Sequence, residues 1–157
     1  FHGFSKMLIA LGREPDEMDT TIVPTPLFPD SPVTSSEISQ NISHLFTHIP
    51  AIGMRWTILE QGLLSIGAVP DSALSLAKHR MSEVLGVSYL SNKPETTPIE
   101  NGEFIRSVAE SFVFDVRSIS SATRTEVIER YSSEGLLQLM LGMALFDGIL
   151  RIEATKL

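Results

Sequence analysis

Apolar residues recur every three or four positions along most of the chain, which is the spacing of amphipathic helices. Strand signals are nearly absent, because the one β-branched run, residues 20–23, meets a proline at once. We therefore predict an all-α fold with four apolar stripes facing inward. The stripes are Ile38, Ile42, Leu45, Phe46 and Ile49; Ile52, Trp56, Leu59, Leu63 and Ile66; Leu74, Ala77, Met81, Val84 and Leu85; and Phe104, Ile105, Val108 and Phe112.

Capping and breaking residues set the ends of these helices. Thr34 and Glu37 have the spacing of a capping box, in which each side chain satisfies an amide of the other residue. Pro50 ends the first stripe and can open the next helix. Gly67 and Gly86 close the second and third stripes, as expected of helix C-termini.

The last helix has a different pattern from the others. A shorter helix opened by Ser120 or Ser121, with Val127 and Ile128 inward, precedes it, and residues 132–134 (Ser-Ser-Glu) cap it. Its apolar residues cover all faces of the helix. They are Leu136, Leu137, Leu139, Met140, Leu141, Met143, Leu145 and Phe146. This predicts a helix buried on every side, in the middle of a bundle or in a subunit interface.

The first 33 residues form a separate region in this interpretation. Residues 1–11 are predicted to be a short helix ended by Gly12, and residues 13–33 contain five prolines. We read this Pro-rich stretch as an extended arm or a disordered tail, and residues 34–157 as the helical domain.

A short similarity links the two ends of the chain. Residues 1–6 (Phe-His-Gly-Phe-Ser-Lys) and residues 146–151 (Phe-Asp-Gly-Ile-Leu-Arg) share the pattern Phe-x-Gly-x-x-(Lys/Arg). Residues 1–33 could then be the tail of a preceding copy of one unit, or a sign of circular permutation. Chance similarity over six positions is the third explanation.

Composition excludes several classes of function. The net charge is −7 and the pI about 5.0, with no basic stripe for nucleic acid or an anionic membrane. The chain has no cysteine, which rules out disulfides and thiolate chemistry. Residues 1–4 lack the pattern of a signal peptide, and the longest apolar run is short for a bilayer. We expect a cytoplasmic protein without a membrane partner.

One cluster of polar residues could carry chemistry. His79 and Glu83 are one helical turn apart, so the imidazole could act as a general base with the carboxylate beside it. Ser88, Tyr89 and Ser91 follow in a turn and could donate hydroxyl hydrogen bonds to a carboxylate or enolate. The alternatives are a surface His–Glu pair and an ordinary turn that ends a helix.

Two other polar pairs have helical spacing. His44 and His48 could bind a metal, but no acidic third ligand lies on the same turn, so we expect no metal site. Asp147 and Arg151 interrupt the apolar last helix and are expected to form an ion pair. A buried, unpaired Asp147 would instead be a candidate acid or base.

The order of these motifs resembles the alkylhydroperoxidase-D-like superfamily, which includes the carboxymuconolactone decarboxylases. The resemblance covers residues 35–157 and, through the closing-helix pattern, residues 1–15. The entry helices of the family are matched by residues 48–51 (His-Ile-Pro-Ala), Trp56, Leu59, Leu63 and residues 67–70 (Gly-Ala-Val-Pro). Residues 74–86 resemble the helix before the active-site turn. The later helices are matched by residues 104–110 (Phe-Ile-Arg-Ser-Val-Ala-Glu), 119–123 (Ile-Ser-Ser-Ala-Thr) and 131–139, and the closing helix and tail by residues 146–157. The resemblance implies an alkylhydroperoxidase-D-like helical bundle with a Pro-rich N-terminal arm.

The redox members of that superfamily carry a Cys-x-x-Cys turn followed by a histidine. Here Ser88 and Ser91 are where the thiols would fall, and Glu95 is near the position of the histidine. A serine hydroxyl cannot cycle through a disulfide, so thiol peroxidase chemistry is excluded. A natural cysteine-free member and a Cys-to-Ser replacement both remain open.

The resemblance implies a cofactor-free lyase or decarboxylase acting on a small carboxylic acid or lactone, with His79, Glu83 or a hydroxyl near Tyr89 moving the proton. One alternative is a non-catalytic helical module that assembles through the last helix and the arm. The other is an alkylhydroperoxidase-like protein without its redox cysteines. In each case a homo-oligomer is expected, because the apolar content exceeds what a lone small bundle needs.

Overall fold

A computed structural model describes residues 2–12, 50–87 and 100–155 of the chain. These residues form the helices α1 (His2–Ala10), α2 (Pro50–Ser65), α3 (Asp71–Leu85), α4 (Gly102–Phe114) and α5 (Ser121–Thr155), with a 3₁₀ turn at Val116–Ser118. No strand occurs within the described ranges, which confirms the all-α prediction. The predicted helix over residues 34–49, the arm over 13–33 and the loop over 88–99 lie outside these ranges.

The first helix, α1, packs on α5 and on the 3₁₀ turn. Met7 and Ala10 are buried in that contact. The chain then passes through Gly12, whose φ of 78° is a left-handed conformation that suits glycine. The predicted helix and its glycine terminus are both confirmed.

The start of α2 at Pro50 is as predicted, but the side that it buries is not. Leu63 is buried, whereas Ile52, Leu59 and Ile66 are 49%, 37% and 48% exposed. Among the described helices, α2 packs chiefly against α5. Apolar residues occur around its whole circumference, so periodicity alone could not indicate which side would meet α5.

The pairing of α3 with α4 follows the predicted stripes closely. Leu74 and Met81 of α3 and Ile105 and Phe112 of α4 are almost completely buried. Gly86 ends α3 with a φ of 66°, and its amide donates to the carbonyl of Glu83 at 3.1 Å. This pair of helices forms one side of the bundle.

A sharp break divides α5 into the two helices that the sequence predicted. Ser132 has a non-helical conformation, with φ 73° and ψ 174°. Its Oγ accepts a hydrogen bond from the amide of Gly135 at 3.3 Å, as an N-cap does. Upstream, Ser120 Oγ accepts from the amide of Thr123 at 3.1 Å and caps the first part.

The second part of α5 is central, but it is not covered on every side. Leu139, Met140 and Met143 have no exposed surface, while Leu137 is 49% exposed. Ile128, predicted to face inward, is 40% exposed. Both predictions were wrong because the other described helices pack around only part of α5, and the apolar side chains on its uncovered side face outward.

Close approach of α5 to its neighbours depends on glycine and on one buried amide. A Cβ at Gly142 would lie 3.3 Å from Leu63 and 3.5 Å from Leu74. Gln138 has no exposed surface; its Nε2 donates to the carbonyl of Leu63 and its Oε1 accepts from the amide of Val69, both at 2.8 Å. Gln138 therefore fixes the connection between α2 and α3.

By length and composition α5 would also suit a membrane span. Within its most apolar 18-residue window, 72% of the residues are buried inside the protein. The buried core helix of a globular protein has the same properties.

Candidate functional site

An open groove between α3 and α4 brings charged residues together. It has a volume of about 430 Å³ and is lined by Arg80, Glu103, Arg106, Ser107 and Glu110. The four α4 residues are spaced three, one and three positions apart, so they share one face of α4, beside its buried stripe. The apolar packing of α3 on α4 therefore places these polar side chains at the edge of the contact.

The guanidinium of Arg80 joins the two helices across this edge. Its Nε and Nη2 lie 2.7 and 2.6 Å from Oε1 of Glu110. Its Nη1 donates to Oε2 of Glu83 at 2.8 Å. Because one cation bridges two carboxylates, all three side chains hold each other in place.

These contacts set the ionisation of Glu83. The hydrogen bond from Arg80 is the largest effect and holds the pKa of the Glu83 carboxyl below its usual value, against the smaller effect of burial. Hydrogen bonds to Glu83 and Glu110 raise the pKa of Arg80 in turn. Near neutral pH Glu83 is consequently a carboxylate that accepts hydrogen bonds, and it is not a proton donor.

His79 lies beside Glu83 on the same face of α3, as their spacing predicts. Its Nε2 is 3.6 Å from Oε1 of Glu83, and its side chain is 27% exposed. His79 does not line the groove itself. Its connection to the groove is indirect, because Oε2 of the neighbouring Glu83 accepts a hydrogen bond from Arg80, which lines the groove.

The other predicted site residues lie outside the described ranges. Ser88, Tyr89 and Ser91 follow directly after Val87, where the description of α3 and its terminus stops. The histidines at positions 44 and 48 also lie outside it. In the described part of the chain, no group of three or more His, Asp and Glu residues could hold a metal ion.

Sequence reasoning missed most of the groove. The sequence does show that four polar residues share one helical face, because Glu103, Arg106, Ser107 and Glu110 have that spacing. Nothing in the sequence indicated that this face would meet Arg80 on α3. A polar stripe that faces solvent has the same pattern.

A second polar cluster is buried where α1, α4 and α5 meet. Arg151 Nε lies 2.9 Å from Oδ2 of Asp147, which confirms the predicted ion pair. The sequence did not indicate that Asp147 would also be completely buried, nor that Lys6 would join it from α1 at 3.4 Å. Lys6 Nζ also donates to the carbonyls of Phe112 and Val113 at 3.1 and 3.2 Å.

Burial lowers the pKa of the Lys6 ammonium, and the attraction of Asp147 opposes that effect. The carbonyls that Lys6 binds belong to the last turn of α4, which has no helical donors for them. The cluster therefore ties α1 to the bundle.

Comparisons with protein-family models, with curated proteins and with solved structures found no match for this chain.

Proposed function

We propose that this protein is a cofactor-free lyase of the carboxymuconolactone-decarboxylase type, acting on a small carboxylic acid or lactone in the groove between α3 and α4. The observation that supports it is the run of contacts from His79 through Glu83 to Arg80 on the groove wall. A general acid–base group next to a site that can hold an anion is what such a reaction requires. The order of motifs along the chain is a second, independent support.

In the proposed reaction, the bond between a substrate carboxylate and its α-carbon breaks and carbon dioxide leaves. The electron pair moves into the conjugated lactone carbonyl and forms an enolate. Because His79 does not line the groove, a proton from its imidazolium reaches the carbon through one water molecule, and the imidazolium is regenerated from solvent. Glu83 orients the imidazole, as a carboxylate beside a catalytic histidine does.

Replacement of His79 tests this role most directly. We expect His79→Ala to lower the turnover number for a carboxylated muconolactone by about 100-fold, the usual range for a lost general acid–base group. Carbon dioxide release measured by mass spectrometry reports the reaction itself. His48→Ala, which removes a histidine from another part of the chain, is the matched control and should leave turnover unchanged.

Thermal stability separates catalysis from structure. The His79 side chain is 27% exposed, so His79→Ala should lower turnover while its melting temperature stays close to that of the intact protein. Equal turnover by His79→Ala and the intact protein would exclude the proposed role. Absence of any carbon dioxide release from the intact protein would remove the lyase proposal itself.

A second candidate function, self-assembly, is favoured by α2. Ile52 and Leu59 of α2 and Ile66 directly after its end, which we call the α2 stripe, are seven residues apart and more than a third exposed. A seven-residue repeat of apolar side chains is the pattern by which two helices pack along one seam. We propose that a second copy of the chain packs against this stripe through a two-fold axis near Leu59, where the same surface would serve both copies.

The absence of cysteine makes this proposal simple to test. In Leu59→Cys, the introduced thiol is the only one in the chain, and mild oxidation should give a disulfide-linked dimer on a non-reducing gel. Ser75→Cys, at an exposed position on α3, is the control and should stay monomeric on that gel. Equal crosslinking of the two variants would contradict the seam.

A further inference from the structure

The two arginines that line the groove differ in what they bind. Arg80 is bonded to Glu83 and to Glu110 at distances of 2.6 to 2.8 Å. Releasing Arg80 to bind a ligand would leave both carboxylates without their partner. Arg80 therefore belongs to the framework of the groove, and it is not its binding group.

The contacts of Arg106 are much weaker than those of Arg80. Its Nε lies 3.9 Å from Oε1 of Glu103, beyond hydrogen-bonding distance, and the Glu103 side chain is 98% exposed. Within the described ranges the Arg106 guanidinium makes no hydrogen bond. An exposed ion pair at this distance contributes little stability, so a ligand carboxylate can replace Glu103 at small cost.

Ser107 places a hydroxyl next to this guanidinium. The residue is exposed, and its side chain makes no hydrogen bond to any described residue. Since Arg106 and Ser107 both line the groove, a cation and a hydroxyl donor face the same volume. A guanidinium with a neighbouring hydroxyl matches the two oxygens of a carboxylate.

The carboxylates around the groove are divided unequally between its two arginines. Arg80 is shared by Glu83 and Glu110, whereas Arg106 faces the exposed Glu103 at 3.9 Å and the more distant charge of Glu83. Three carboxylates around two arginines give no net positive charge, so binding of an anion depends on Arg106 itself. An incoming carboxylate would meet Arg106 as the one guanidinium of the groove that lacks a close carboxylate partner in the described structure.

We infer that Arg106 and Ser107 are the carboxylate-recognition pair of this groove, and that its ligands are small carboxylates. This rests on the proposed function insofar as it takes the same groove for the substrate. Arg106 holds one carboxylate in a bidentate contact, Ser107 donates to one of its oxygens, and Glu103 competes for the guanidinium.

Isothermal titration of the full chain with cis,cis-muconate, a six-carbon dicarboxylate, tests the pair. We expect Arg106→Gln to weaken muconate binding at least tenfold, and Arg106→Lys to retain part of it as a point charge without the bidentate contact. Ser107→Ala should weaken it several-fold. Arg117→Gln on the 3₁₀ turn removes the same charge from an exposed position outside the groove and should have little effect.

A gain in affinity distinguishes recognition from a loss of structure. Glu103→Gln removes the competing carboxylate, so we expect muconate to bind several-fold more tightly than in the intact protein. Glu129→Gln makes the same charge change on the exposed surface of α5 and should alter binding far less. Equal effects of these two variants, or equal effects of Arg106→Gln and Arg117→Gln, would overturn the assignment.

Binding and turnover are measured separately, so the recognition pair and the lyase proposal can each be contradicted while the other stands. If the intact protein binds muconate through Arg106 but releases no carbon dioxide from any lactone, the recognition pair stands and the lyase proposal falls. If Arg106→Gln turns over substrate with an unchanged KM, the lyase proposal stands and the recognition pair falls. No muconate binding by the intact protein overturns the recognition pair.

Discussion

The ammonium of Lys6 lies 3.4 Å from Oδ1 of Asp147, and this ion pair joins residues 141 positions apart in the chain. Asp147 has no exposed surface and Lys6 is 8% exposed. The pair attaches α1 to the bundle by a specific charge contact, in addition to the apolar contacts of Met7 and Ala10. Loss of either partner leaves the other charge buried with less compensation.

We predict that Asp147→Asn destabilises the protein strongly, because Lys6 and Arg151 lose their shared carboxylate. Removing one partner of a buried pair costs about 3 to 5 kcal/mol of unfolding free energy. The double variant Lys6→Met with Asp147→Asn should lose less than the sum of the two single variants. Urea unfolding measures all three, and an additive double variant would contradict coupling between these residues.

Burial of Lys6 should also make the stability of the protein depend on pH. Burial holds the pKa of Lys6 below its ordinary value of 10.5, so the unfolded chain binds more protons over the interval between the folded pKa and 10.5. Stability rises with pH over that interval, because the cost of burying the charged ammonium is present at neutral pH and disappears as Lys6 loses its proton.

Lys6→Met lacks this contribution and serves as the reference. The unfolding free energy of the intact protein, minus that of Lys6→Met, should shift in favour of the intact protein between pH 7 and pH 10.5. Urea titrations at a series of pH values give this difference. A difference that stays constant with pH would show that burial of Lys6 does not perturb its titration.

Two glycines should respond in opposite ways to alanine. A Cβ at Gly135 would lie 2.5 Å from Cβ of Tyr131, whereas a Cβ at Gly62 would meet nothing within 4 Å. Gly62→Ala should stabilise the protein by up to about 1 kcal/mol through helix propensity. Gly135→Ala should destabilise it by about 1 to 3 kcal/mol, since a close-packed site must shift.

Thermal unfolding of these two variants gives the comparison directly. A lower melting temperature for Gly135→Ala and a higher one for Gly62→Ala are expected. Stabilisation by both would show that the break at Ser132 does not bring Tyr131 as close to Gly135 as described.

The buried Gln138 should be much more important to stability than the exposed Gln61. Gln138→Leu keeps an apolar side chain of similar size but leaves the amide of Val69 without its acceptor, while the carbonyl of Leu63 keeps the hydrogen bond from the amide of Ile66 at 3.4 Å. One buried unsatisfied donor predicts a loss of about 1 to 3 kcal/mol. Gln61→Leu, at an exposed position on α2, should change the unfolding free energy by less than about 0.5 kcal/mol; similar losses would contradict the role of Gln138.

The sequence predicted the helices better than it predicted their orientation. The stripes of α3 and α4 identified the buried sides of both helices, because each has one apolar face and one polar face. In α2 apolar residues surround the helix, so the buried side depends on α5 and could not be predicted from spacing. The same holds for the last part of α5, where Leu137 is apolar but half exposed.

The candidate site was predictable only within single helices. The proximity of His79 to Glu83 and the Asp147–Arg151 pair follow from one-turn spacing. The contact of Arg80 with Glu110 and that of Lys6 with Asp147 connect distant positions. Such contacts arise from tertiary packing, and a single sequence contains no periodic signal for them.

We propose that this protein binds its ligand in the groove between α3 and α4. Titration of the isotopically labelled full chain with cis,cis-muconate, followed by amide chemical shifts, measures the location of binding without any substitution. We expect the largest shifts to cluster at Arg80, Arg106, Ser107 and Glu110. Shifts confined to other elements, such as the α2 stripe, would contradict it.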